Sequence, residues 1–451
     1  MPAVARPTAE AETQTDHRGW TVVVACVLFA AAVILPLFRQ GGTRTWDRIF
    51  SEDGFIYTQQ ALRNGRVTSM FRGYAGYLQL PPRLLGAVVS FVPVRDLAVA
   101  LALAGALTLA LLGLFVYHVT RTWIASVPLR LALAATIVIG PTVGLENTAN
   151  ITNTIWAFAA VAPWALVSLE ERTRDTILRS VVAFLAATAT PLCVVFAPVA
   201  LGWMVIRKTR SAVVVGGAFL VGLLVQGLVV LHAGDTTEKA LPNRVATLAD
   251  EFTVRVLGFF VVGPKLIESW VRRPDVRLDL VLVAVVIGLF VYLFREATQP
   301  RWRALAAMFL AAAVLSFAVP IWARGTEYLH PFDSNDFLVS AYRYSVVPVF
   351  MLVSATALLL APGSGSAASV RRIAVPIFLV QLVVVGLLSF GTPPSVLLDW
   401  RTSIADTYRS ECQSTPSDRI VMVQTVPNFL QVFVHTSDHY AVALRCRELS
   451  P

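Results

Sequence analysis

Glu52 and Asp53 stand side by side in the run Ser51-Glu52-Asp53-Gly54-Phe55-Ile56-Tyr57, just beyond the first long apolar stretch of the chain. Adjacent carboxylates repel each other, which raises the pKa of at least one of them. Such a group can act as general base toward an acceptor hydroxyl. The same pair would equally suit a solvated helix start, where acids favour the dipole, and the residues alone leave both readings open. Glu146, with Asn147, Asn150 and Asn153, offers oxygen atoms that could position hydroxyls or coordinate a hard divalent cation, Mg or Mn. The alternative for the asparagines is helix capping on a wet loop. Arg72 and Arg83 follow the acidic pair, and arginine grips phosphate through a bidentate fork; Arg83 also fits a residue snorkelling at an interface. His330 lies near Asp333 and Asp336 without a specific metal-ligand spacing. His118 and His232 fall at the ends of apolar runs, and His435 and His439 lack a ligand pattern. No P-loop, Gly-rich dinucleotide turn or Ser/His/Asp order is present, so nothing points to cytosolic nucleotide chemistry.

Apolar helix must position these groups. The chain of 451 residues is 56% hydrophobic and 14% charged, whereas soluble domains carry roughly 25% charged residues. A soluble fold of this size has too much surface for so few charges. Residues 20–37, 97–119, 278–294 and 373–390 have the length of a membrane span, about 20 mostly apolar residues. The net charge of +9 does not indicate a nucleic-acid partner. Most basic residues sit in short loops between apolar runs, where the positive-inside rule expects them. Three lysines against many arginines, with abundant Ala, Val and Leu, suit a high-GC bacterial genome, so the predicted location is a bacterial plasma membrane. Residues 1–19 form a polar cytoplasmic tail. Residues 20–37 lack a cleavage site of the A-x-A kind and read as a retained first span.

Basic loops at 121–130, 172–179, 207–210, 295–303 and Arg371-Arg372 predict the cytoplasmic side. Acidic, mixed or amide-rich loops at 47–53, 146–153, 235–251 and 327–336 predict the outer side. Parity then restricts the rest. With 20–37 running outward and 97–119 inward, the short segment 78–92 becomes a helix lying on the outer face. Residues 53–64 form a second short helix in the same loop, 38–96. Residues 129–145 and 152–169 go out and back. Residues 177–206 have basic residues at both ends and Thr190-Pro191 in the middle, which predicts two half-length helices that enter the membrane and return. Residues 254–270 read as an outer-face or re-entrant helix, and 213–232, 278–294, 305–322, 345–360 and 373–390 complete the spans. The segment 391–451 is then a small extracytoplasmic tail. Alternation at 419–425 and 431–434 predicts short strands there, and an oxidising compartment favours a Cys412–Cys446 disulfide as a staple. Cys26 and Cys193 lie in apolar runs as packing residues.

An acidic pair after the first span, followed by an aromatic residue and a helix ending in Asn-Gly, resembles the first outer loop of GT-C superfamily glycosyltransferases. Here it reads Glu52-Asp53-Gly54-Phe55-Ile56-Tyr57 through Ala61-Leu62-Arg63-Asn64-Gly65. Gly76-Tyr77-Leu78-Gln79-Leu80-Pro81-Pro82-Arg83-Leu84-Leu85-Gly86 resembles the second juxtamembrane helix of that superfamily. Ala189-Thr190-Pro191-Leu192 resembles the paired half-helices of its bacterial members, Glu146 its second acidic site, and Arg343-Tyr344 with Pro348 the Arg-Tyr motif of a late span. The leading Glu52 stands where Asp is commoner, so the identity of the base stays open between Glu52 and Asp53.

The resemblance covers residues 20–390. It implies an all-α polytopic membrane protein, a GT-C-like helix bundle with juxtamembrane helices on the outer face. It implies a polyprenyl-phosphate-linked sugar as donor and a cell-envelope glycan, lipid or protein as acceptor, joined by inverting displacement with Glu52 or Asp53 as base. Around the substrate it implies Glu146, Tyr57, Arg343 and Tyr344, with Arg72 and Arg83 as helpers and Arg343 the first choice for the lipid phosphate. A tethering pair of Arg343 with Asp333 or Asp336 is the structural alternative. Two other readings stand beside the enzyme. One is a transporter or flippase for a lipid-linked sugar, which would use broken helices at the membrane midplane. The other is a membrane scaffold with the tail as a binding module.

Overall fold

A computed structural model describes residues 9–39, 46–50, 52–140, 149–232, 244–271, 278–324, 343–389, 399–413, 417–425 and 441–449. The first helix, α1 (Ala9–Leu37), begins well before the apolar run, because the preceding Ala, Glu and Gln residues are good helix formers. The first loop carries a π-helical turn (Asp53–Thr58), α2 (Gln59–Asn64), α3 (Arg66–Met70) and α4 (Leu80–Val89). Pro81 and Pro82 open α4, where their missing N–H groups cost nothing. The bundle follows with α5 (Leu97–Val119), α6 (Val127–Ile139), α7 (Thr154–Val167) and α8 (Thr173–Ala189). After a short 3-10 turn (Pro191–Phe196) come α9 (Ala197–Arg207) and α10 (Arg210–His232).

The next helix runs as α11 (Val245–Phe252), a π-helical turn (Thr253–Gly258) and α12 (Phe259–Val261), and α13 (Pro264–Val271) follows a break at Gly263. Then come α14 (Leu278–Glu296), α15 (Pro300–Arg324), α16 (Arg343–Leu360) and α17 (Ala368–Leu388). The tail holds α18 (Trp400–Thr407), β1 (Ile420–Gln424), β2 (Ala441–Arg445) and α19 (Cys446–Leu449). The strands pair antiparallel, with Ile420 opposite Arg445 and Gln424 opposite Ala441.

Among the described residues five helices are long and apolar enough to cross a membrane, at Val94–Thr122, Arg210–His232, Pro300–Ala323, Arg343–Leu360 and Ala368–Leu388. With its little strand, the chain is an all-α membrane protein. Its centre is α7 and α16: every residue of α7 is buried, and so is α16 from Tyr344 onward. The outer helices expose large apolar side chains such as Leu224, Val285 and Ile377. Water would penalise such a surface, whereas lipid solvates it.

The two ends of the bundle differ. At one end Trp123 packs against Trp203 and Trp302, with ring centroids 6.1 and 5.5 Å apart. Arg121 pairs with Glu170 at 2.9 Å and Arg207 with Glu171 at 3.3 Å, and the Gln299 amide donates to the Ser364 carbonyl at 3.0 Å. These contacts gather the basic loops 121–130, 172–179, 207–210, 295–303 and 371–372 on a single side. Arg179 of α8 closes the same end, donating to the carbonyls of Ala165, Leu166 and Glu170 and to Ser211 Oγ. Because α9 also ends there, α8 and α9 form a hairpin that leaves and returns. Its apex is Thr190, extended at φ −155° and ψ 144°, whose hydroxyl accepts from the Leu192 amide.

The opposite end carries the first loop and the tail, which share a hydrophobic cluster. Ile49, Ile56, Tyr57, Leu97 and Ile151 pack with Trp400, Val421, Val442, Leu444 and Leu449. Trp400 donates from its amide to the Asp47 carbonyl at 2.7 Å and from its indole to the Val94 carbonyl at 2.8 Å. Cys412 and Cys446 are disulfide-bonded within this cluster. Strand β2, which no alternation in Ala441-Val442-Ala443-Leu444-Arg445 announces, lies against the turn that carries Asp53.

Candidate functional site

Asp53 opens the π-helical turn and is 1% exposed. Its carboxylate accepts from the Ile151 amide at 3.0 Å, from the Thr152 amide at 2.8 Å and from the Thr152 hydroxyl. The carboxylate therefore ties the first loop to the loop that starts α7. Burial raises its pKa to about 7, against the lowering effect of the Thr152 and Ile151 hydrogen bonds, and the neighbouring Glu52 pushes the same way as burial. Glu52 itself is half-exposed and forms no cap on the turn. Of the two carboxylates, Glu52 is therefore the less buried.

One turn further on, Tyr57 is buried and its hydroxyl donates to Gln79 Oε1. Burial pushes the phenol pKa up; Glu52, Tyr77, Arg83 and Asp53 all act on it electrostatically, Arg83 in the opposite sense. Helix α4 reaches this turn through Gly86: a Cβ there would stand 2.8 Å from Tyr57 Cβ and 3.1 Å from its carbonyl carbon. A tight turn precedes α4. Tyr74 and Tyr77 exchange backbone hydrogen bonds across Ala75 (φ 50°) and Gly76 (φ 84°), the positive-φ pair of a type I′ turn. The Leu78 amide then donates to Gln226 of α10 at 3.3 Å, which attaches the loop to the bundle.

Arg83 lies on α4 and is 1% exposed. Its guanidinium donates to the carbonyls of Leu78 at 2.9 Å and Ser69 at 2.7 Å and to Gln60 Oε1 at 3.0 Å. Its Nη2 has no partner, and Arg83 forms no ion pair among the described residues. Burial lowers its pKa to about 10, with Tyr57 raising it and the neighbouring Arg72 lowering it, so it is cationic at neutral pH. A buried cation without a counter-charge is costly unless a ligand supplies one. Arg179 is the contrast within the same chain: all three of its nitrogens donate to fixed acceptors.

The first loop thus brings together Glu52, Asp53, Tyr57 and Arg83, with exposed Arg72 within electrostatic range. Arg343 and Tyr344 begin α16, where Tyr344 is buried edge-on against Trp156 of α7, with centroids 5.3 Å apart. The Trp156 amide donates to the Asn153 carbonyl, so Tyr344 adjoins the loop that Asp53 grips. Asn150 Oδ1 accepts from the Asn153 amide at 2.9 Å, a capping arrangement. Glu146, Asn147, His330, Asp333, Asp336, His435 and His439 lie outside the described residues. No three His, Cys, Asp or Glu side chains converge as a cation site among the described residues, and Asp53 already accepts three donors.

The sequence reading missed Gln79, Gln226 and Thr152. Gln79 has a positive φ of 55°, a strain that no residue type announces. No family model matches the chain, and neither does any curated protein or solved structure.

Proposed function

We propose that the chain is a membrane glycosyltransferase of the GT-C type. It takes a sugar from a polyprenyl-phosphate carrier and passes it, with inversion, to a glycan, lipid or protein acceptor on the outer face of a bacterial plasma membrane. Arg83 carries the reading: a buried guanidinium with an unused N–H, in the same loop as an accessible carboxylate. Glu52 takes the proton of the acceptor hydroxyl as its oxygen bonds to the anomeric carbon. The bond from that carbon to the lipid phosphate breaks, and the phosphate leaves with the electron pair. Arg83, with Arg72, stabilises the charge that develops there. Asp53 is a positioning residue, since its oxygens hold Ile151 and Thr152.

Turnover of polyprenyl-phosphate sugars by the purified protein tests this. Glu52→Gln should lower kcat by roughly 100-fold or more while leaving the melting temperature unchanged, and Arg83→Gln should raise KM for the donor. Full turnover by a Glu52→Gln, Asp53→Asn double variant would sink the enzyme reading. The transporter reading rests on the broken α8–α9 pair and on the Glu251–Arg255 ion pair, which is fully buried. It requires movement of lipid-linked sugar across vesicles without transfer, and Glu52→Gln should not affect that movement.

A further inference from the structure

At the basic end, far from the first loop, a shallow, open recess of about 410 Å³ lies where α6 starts, α16 ends and α17 starts. Its wall combines Leu129, Leu360 and Val375 with Arg371 and Arg372. Arg371 donates to the Ser366 carbonyl, whereas Arg372 makes no hydrogen bond or ion pair among the described residues. Neither Ser126 before α6 nor Ala367 before α17 caps its helix with a side chain, and Pro128 removes one first-turn amide from α6. Two arginines thus meet an apolar wall where α16 ends and α17 begins. Helix N-termini and arginine both favour phosphate, and the apolar side chains suit a hydrocarbon tail.

We propose that this recess binds the headgroup of an anionic phospholipid, with the phosphate against Arg371 and Arg372 and the acyl chain along Leu129 and Val375. A basic recess between spanning helices is the form such sites take. A free phosphate would use the arginines but leave the apolar wall empty, and a zwitterionic lipid would use the wall but offer no net charge. The site is independent of the transfer chemistry proposed for the first loop.

The test is competition binding of a fluorescent phosphatidylglycerol to the detergent-purified full chain, with unlabelled phosphatidylglycerol, phosphatidylcholine and inorganic phosphate as competitors. Arg371→Gln with Arg372→Gln should weaken binding roughly thirtyfold, about fivefold for each arginine. Ala368→Trp, which fills the recess and leaves both arginines, should weaken it as well. Circular dichroism and gel filtration check folding, and if the double variant fails there, Arg372→Gln and Ala368→Trp carry the test. Competition by phosphatidylcholine or inorganic phosphate equal to that of phosphatidylglycerol would overturn the proposal. So would unchanged binding by folded Arg372→Gln and Ala368→Trp.

Discussion

Asp53 exchanges solvation for three donors from one loop, and the exchange leaves a titration near neutrality. Its folded pKa of about 7 stands above the ordinary 3.8, so the folded protein holds this proton more tightly than the unfolded chain. The stability so gained is complete below the ordinary value and is lost as pH rises through 7. Thermal melting should therefore fall across that window in the wild type and change less in Asp53→Asn. At low pH the variant should be less stable by about 1–3 kcal/mol, because an amide N–H would face the Ile151 or Thr152 donor. An inflection of kcat near pH 7 that vanishes in Asp53→Asn would instead make Asp53 the base. The acidic pair was legible in the sequence as chemistry. The division of labour within it was not, because it depends on Ile151 and Thr152, which are remote in the chain and unremarkable in type. Arg83 was legible as an interfacial arginine, but its burial follows from how α4 is turned.

At the scale of elements, the first loop works as a stack: the Asp53–Thr58 turn, then α4 laid across it. Gly86 is a point of close approach, so a methyl group there must push α4 away from the Tyr57 backbone. Gly86→Ala should cost about 1–3 kcal/mol, the usual penalty of overpacking. Faster hydrogen exchange at residues 53–58 would report the loosened turn. The broken hairpin of α8 and α9 was the most legible element, because basic residues at both ends and a central Thr190-Pro191 admit little else. The π-helical turns at Asp53–Thr58 and Thr253–Gly258 were not legible, since one extra residue per turn leaves no mark on an apolar pattern.

On the scale of the whole molecule, the sequence set residues 391–451 apart as a small tail, and their described part shares one core with the first loop. A Cβ on Gly54 would lie 2.6 Å from Val442 Cγ2, so the strand sits directly on the turn that follows Asp53. Such pairing was out of reach of local pattern, because the Ala443 amide meets Gln59 across 384 residues of chain. Replacing Cys412 and Cys446 with Ser should cost about 2–5 kcal/mol, as removal of a native disulfide does in small secreted domains. Earlier proteolytic cleavage both in the tail and after α1 would show that the two regions loosen together, whereas cleavage confined to the tail would show that the loop stands alone.

That shared core also sets an order of events during synthesis. Gly54 leaves the ribosome long before Val442, so the turn bearing Glu52 must wait for its cover until β2 has been made. Every span between them is inserted while the first loop still lacks its partner strand. A product cut short before β2 would keep both carboxylates and all the helices described up to α18, yet it would lack the strand that sits on the turn. Synthesis of β2 thus acts as a check on whether the first loop is finished.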